Sequence, residues 1–138
     1  MSDSGLLAAV LDASAVLALV HEERGADRVA RALRLGALIS AINWAEVLSD
    51  LAAEGETVDI SVPRVRRVIE KTGTLDLVPF DATQAEQAAR LRIRTKSLGL
   101  SLADRACLAL GRIHRLPVLT TDRAWRSLHL SIRIEVIR

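Results

Sequence analysis

Short continuous apolar runs alternate along this chain with longer stretches in which apolar residues return every three or four positions. Leu6-Leu-Ala-Ala-Val-Leu11 is such a run, ending at Asp12, and it reads as a central strand covered on both faces. Helical spacing follows from Ala13 to about Glu22, and again from Gly25 to Arg34 with Val29, Ala30 and Leu33 on one side. Ala37-Leu-Ile39 reads as a short strand. Ser40 then opens a helix from Ala41 to about Glu54, with Ala41, Trp44, Ala45, Leu48, Leu51 and Ala52 as its apolar side. Gly55 to Ile60 reads as a connection, after which Ser61 and Pro63 start a helix that stops at Gly73. Leu75 to Phe80 is a third strand, and Asp81, with Gln84 three residues on, caps a long helix through Lys96. Beyond Gly99 the pattern predicts a helix from Ser101 to Gly111, a strand over Val118 to Thr121, a short helix near Trp125 and a last strand from Ile132 to Ile137.

This alternation predicts a single α/β domain over residues 1–138: a mainly parallel sheet of about five strands with helices on both faces, an α/β/α sandwich. Ligands in such sheets sit at the carboxyl ends of the strands, where the strand order reverses. Asp12 directly follows the first strand and Asp122 the fourth. The helix from Ser101 is so apolar that it leaves only Arg105 and Arg112 for water, and Asp104 is its sole acid. Two readings fit Asp104: half of a capping box with Ser101, or a carboxylate that needs a partner.

Composition narrows the chemistry. Half the residues are hydrophobic and 26% are charged, as in a compact globule. Trp44, Phe80 and Trp125 are the only aromatics, too few for a base-stacking platform. A net charge of +2 makes any nucleic-acid contact depend on clustered arginines. With Cys107 the sole cysteine, an internal disulfide and a cysteine zinc site are both ruled out. His21, His114 and His129 have no metal-ligand spacing. Asp12 interrupts the apolar run Leu6 to Val20 and Asp3 replaces the positive start of a signal peptide, so the expected location is the cytoplasm, with no membrane association.

Four acids remain to be explained: Asp12, Glu46, Asp104 and Asp122. Each has an ordinary structural reading as a cap, a turn former or a surface residue. As a set they are informative, because unit charges 4 Å apart repel by roughly 4 kcal/mol at an effective dielectric near 20, and a cluster stays ionised around a cation. Oxygen ligands without histidine or cysteine select a hard ion, Mg²⁺ or Mn²⁺.

Four segments carry a resemblance: Val10-Leu-Asp12-Ala-Ser14-Ala-Val-Leu, Ser40-Ala-Ile-Asn-Trp-Ala-Glu46-Val-Leu, Leu102-Ala-Asp104-Arg-Ala-Cys-Leu-Ala and Leu119-Thr120-Thr-Asp122-Arg-Ala-Trp125. In this order they resemble the motif blocks of PIN-domain nucleases, and with this length the VapC toxins of bacterial toxin–antitoxin pairs. The resemblance implies that Asp12, Glu46, Asp104 and Asp122 bind Mg²⁺ or Mn²⁺, with Ser14 and Thr120 as supporting hydroxyls. It implies an endoribonuclease in which water attacks the phosphodiester, leaving 5′-phosphate and 3′-hydroxyl ends. A homodimer and a small cognate antitoxin are implied as well. Arg105, Arg123 and Arg126 are the expected RNA contacts, from their nearness in sequence to Asp104 and Asp122.

The rivals are weaker in this sequence. A haloacid-dehalogenase-like phosphatase wants a second acid two residues after the first, where Ser14 stands. A receiver-like signalling domain wants paired acids and a late lysine that are missing here. An inactive PIN-fold scaffold would have little reason to carry all four acids.

Overall fold

The computed structural model describes residues 8–138. Its chain order is β1 (Val10–Leu11), α1 (Ala13–Val20), α2 (Ala26–Leu35), β2 (Ala37–Ser40), α3 (Ala41–Ala53), α4 (Val58–Thr72), β3 (Leu75–Val78), α5 (Ala82–Thr95), α6 (Leu102–His114), β4 (Val118–Thr120) and β5 (Ile134–Val136). Short 3₁₀ turns at Lys96–Leu98 and Arg123–Ser127 complete it. The five strands form one sheet in the order β3-β2-β1-β4-β5, and every pairing is parallel. The α/β expectation holds. β1 is the central strand, flanked by β2 and β4, so strand order reverses beside it and the crevice at its carboxyl end is where Asp12 lies.

The core is layered on the two sheet faces. Leu11, Ile39 and Leu119 pack with Val16, Val29, Leu33, Trp44 and Val65 on one side. Val10 and Val118 pack with Leu91, Leu108, Leu110 and Trp125 on the other. Alternate residues of β1 and β4 therefore feed opposite layers, as a two-faced sheet requires.

Helix starts follow local capping. Asp12, Ser40, Asp81 and Ser101 each accept a backbone N–H at the start of α1, α3, α5 and α6. Three boundaries and one helix face differ from expectation. α4 begins at Val58, so the expected connection ending at Ile60 contains its first turn and Pro63 lies inside the helix. Thr57 is the N-cap, and Asp59 in the first turn complements the helix dipole. β3 ends at Val78, because Pro79 cannot donate to the ladder. β5 is confined to Ile134–Val136, while Ile132 turns into the core. The buried residues of α3 are Asn43, Trp44, Val47 and Leu51, and Ala41, Ala45 and Ala52 face water. The expected first-strand residues Leu6 and Leu7 lie outside the described residues.

α6 is buried from Ala106 to Gly111, although Leu102 is half exposed, against expectation. Gly111 permits this depth: a Cβ there would sit 2.4 Å from Val118 Cγ2 and 3.2 Å from Leu116 O. Val118 is β-branched and has no alternative rotamer to retreat to cheaply. Gly111→Ala is expected to destabilise the fold by about 1–3 kcal/mol, read as a lower denaturant midpoint with an unchanged slope.

Candidate active site

At the carboxyl edge of the sheet, β1 ends just before Asp12 and β4 at Thr120, two residues before Asp122. α3 brings Glu46 from one side and the first turn of α6 brings Asp104. These four acids line one cleft of about 200 Å³, together with Ser14, Leu17, Trp125 and a fifth acid, Asp50. All four acids expected from the sequence thus meet in one place. Asp50 is an addition, and its signal was available: it lies four residues after Glu46, one turn along the same helix face.

Asp12 is buried, and its Oδ1 accepts the Ser14 hydroxyl at 2.6 Å and the Ala15 N–H at 2.9 Å. Burial pushes its carboxyl up to about 6; hydrogen bonds from Ser14, Thr120 and Ala15 oppose that shift, and the charge of Asp104 adds to it. Ser14 also ties the two strand ends together, because its Oγ accepts the Thr121 N–H at 2.9 Å. Thr120 Oγ1, 3.5 Å from Ser14 Oγ, accepts the Asp122 N–H at 3.1 Å. The two hydroxyls expected to support the acids therefore fix the backbone from which Asp122 projects. Asp122 itself is exposed, with Oδ1 accepting the Ala124 N–H at 2.9 Å.

Asp104 forms the expected capping box and also faces the cleft. Its Oδ2 accepts the Ser101 N–H while Ser101 Oγ accepts the Asp104 N–H, each at 3.1 Å, and the same side chain lines the cleft. The capping box fixes the rotamer of a cleft acid. Glu46 is half-buried; burial raises its carboxyl above the ordinary range, Asn43 opposes this, and Asp104 and Asp50 reinforce it. Asn43 is fully buried and bridges two helices, its Nδ2 donating to Glu46 Oε1 at 3.1 Å and to Ala103 O at 3.0 Å. Beneath the cleft, Cys107 is enclosed, and burial with the charges of Asp12, Asp104 and Glu46 drives its thiol far up, so it is a core residue and no nucleophile.

Among the described residues none of the five acids has an ion-pair partner. No three histidine, cysteine or acidic side chains among them converge as a preformed ligand set; the acids stand on the cleft walls, as uncompensated like charges do. A buried carboxylate without a counter-charge, in a cleft lined by four further carboxylates and no cationic side chain, fits a hard divalent cation.

The expected RNA contacts are placed unequally. Arg123 and Arg126 are exposed in the 3₁₀ turn that follows Asp122, with Arg123 Nε donating to Arg138 O at 3.4 Å. Arg105 leans the other way, its Nη1 donating to Ala88 O of α5 at 3.0 Å. Arg105 therefore lies to one side of Asp104 rather than beside it, because successive helix residues point about 100° apart. His21 sits at the end of α1, 3.3 Å from Glu54, far from any ligand role.

Among the described residues no helix is long and apolar enough to cross a membrane. The family model described as PIN domain matches residues 9–129. No functionally curated protein matches the chain. Among solved structures, a chain of a toxin–antitoxin complex from Klebsiella pneumoniae is 22% identical with a TM-score of 0.64, over 88% of this chain and 92% of that one. A chain of VapBC-5 from Mycobacterium tuberculosis, a member of the VapBC toxin–antitoxin family, is 24% identical at a TM-score of 0.57, over 96% and 98%. One from DNA-bound VapBC of Salmonella typhimurium is 19% identical at 0.65, over 93% and 96%. These likenesses extend the shared fold across nearly the whole chain, and the family model spans all four acids, so the chain belongs to the PIN-domain family.

Proposed function

We propose that this protein is a Mg²⁺- or Mn²⁺-dependent endoribonuclease and the VapC-type toxin of a toxin–antitoxin pair. The observation that carries the reading is the buried, uncompensated carboxylate of Asp12 in a cleft walled by four further acids. Asp12, Asp104 and Asp122 hold the cation in this account, and Glu46, with Asp50 behind it, completes the set. When bound, a divalent ion acidifies water and neutralises charge on the phosphodiester.

The chain's own residues do the rest. Ser14 and Ala15 orient Asp12, Ser101 orients Asp104, and Thr120 fixes the backbone of Asp122. Asn43 aims Glu46, whose raised proton affinity suits it to take a proton from the attacking water. Trp125 and Leu17 wall the cleft and limit bulk water. The water oxygen bonds to phosphorus, the bond to the 3′-oxygen breaks, and the products carry a 5′-phosphate and a 3′-hydroxyl. The RNA 2′-hydroxyl is not consumed.

The chains sharing this fold come from toxin–antitoxin complexes, which supports a small antitoxin as the partner. Exposed Val58, Ile60, Ile93 and Leu102 leave apolar surface that supports a homodimer. The cytoplasm, where RNA is available, is the expected site of action. The test is incubation of the purified chain with a structured RNA pool in Mg²⁺, Mn²⁺ or EDTA, beside Asp122→Asn. Cutting only with metal, reduced at least ~100-fold in the variant, is expected. RNA bound but never cut in any metal would leave the chain a scaffold.

A further inference from the structure

On the far side of the first turn of α6 lies a second concavity, of about 270 Å³, lined by Arg92, Thr95, Lys96, Gly99, Leu100 and Arg105. We infer that it binds a backbone phosphate of the RNA strand whose scissile bond lies in the acid cleft, an inference that rests on the nuclease reading above. Three cations line it and no acid does. Among the described residues none of the three forms an ion pair.

Arg92 and Lys96 have an ordinary explanation, since cations complement the carboxyl end of α5. Arg105 does not. It stands at the amino end of α6, where a helix disfavours positive charge. Its Nη1 meets the neutral Ala88 carbonyl, and its Nε is enclosed with no acceptor. A guanidinium so partly desolvated, without an anion, is costly unless a ligand supplies the charge. Thr95 brings no negative charge to the cations; it is buried and its hydroxyl donates to Leu91 O at 2.9 Å.

Placement selects a strand phosphate over a free ion. Asp104 lines the acid cleft and Arg105, the next residue, lines the cationic one, so a chain crossing the first turn of α6 touches both. A nest of acids repels a polyanion, and a flanking cationic seat offsets that repulsion while fixing the register of the strand.

The test is binding of a fluorescent single-stranded RNA in EDTA, followed by anisotropy across a salt series. Arg92→Gln with Lys96→Gln removes two exposed charges without touching the core. The slope of log affinity against log salt is expected to become shallower by roughly 0.7, the value for one phosphate on a single strand, with weaker binding at every salt concentration. Arg31→Gln with Arg34→Gln, which removes the same charge from α2, should leave the slope unchanged. In parallel, the Arg105 Nε–H resonance should shift on adding the RNA. An unchanged slope in the α5 pair, an equal loss in the α2 pair, or an Arg105 resonance that responds to inorganic phosphate and ignores RNA would each overturn the inference. A shallower slope in the α5 pair, beside a wild-type chain that never cuts RNA in Mg²⁺, would instead sink the nuclease reading and leave the phosphate seat standing.

Discussion

Asp12→Asn is expected to abolish RNA cleavage and at the same time to raise the melting temperature of the protein in EDTA at pH 8. The fold raises the Asp12 carboxyl from 3.8 to about 6, with burial as the first cause. A folded state that holds its proton more tightly than the unfolded chain loses stability as pH rises from about 4 through about 6, and stays at the lower level above it. Roughly two pKa steps at 1.36 kcal/mol each give about 3 kcal/mol of opposition to folding at pH 8. Asparagine carries no charge and keeps a cap oxygen for Ala15 N–H. The gain corresponds to an increase on the order of 5–10 °C, and it vanishes below pH 4. Mg²⁺ is expected to stabilise the wild type by mass action and the variant far less. Differential scanning calorimetry of both proteins, in EDTA and in Mg²⁺ across pH, reads all of this. A variant less stable than wild type at pH 8 in EDTA would mean that Asp12 is a structural cap and little else.

The second large effect is at Asn43. Its amide joins α3 to α6 through Ala103 O and holds Glu46 Oε1. Asn43→Ala removes one neutral hydrogen bond and one to a carboxylate, a loss of about 2–4 kcal/mol. A purely structural role would end there. If Asn43 is a positioning residue, the half-saturating Mg²⁺ concentration for cleavage should also rise about 10- to 100-fold in the variant. Gly111→Ala is the control, since it perturbs α6 two turns away from Asp104 and loses comparable stability. Equal Mg²⁺ dependence in both variants would reduce Asn43 to a core residue.

Much of this architecture could be read from local signals. Asp12, Ser40, Asp81 and Ser101 announce their helices because a cap is a contact between residues two or three apart. The strand-end acids were legible because apolar runs stop at them. The start of α4 is harder to read, since Ser61 and Pro63 imitate a helix beginning while the N-cap Thr57 makes no side-chain capping bond. Other features depend on contacts that sequence distance conceals. Arg105 meets Ala88 across 17 positions and Asn43 meets Ala103 across 60. Neither could be paired before the helices were packed. The unpartnered indole N–H of Trp125, buried beside the acids, belongs to the same group.

The most direct test of the central claim is the chemistry of the ends left on cleaved RNA. A digest by the purified chain in Mg²⁺ should yield fragments that ligate through a 5′-phosphate and extend from a 3′-hydroxyl, with none in EDTA. Fragments ending in a 2′,3′-cyclic phosphate, or cutting that persists in EDTA, would show that the RNA's own hydroxyl is the nucleophile and that the acid cleft does not do the chemistry assigned to it.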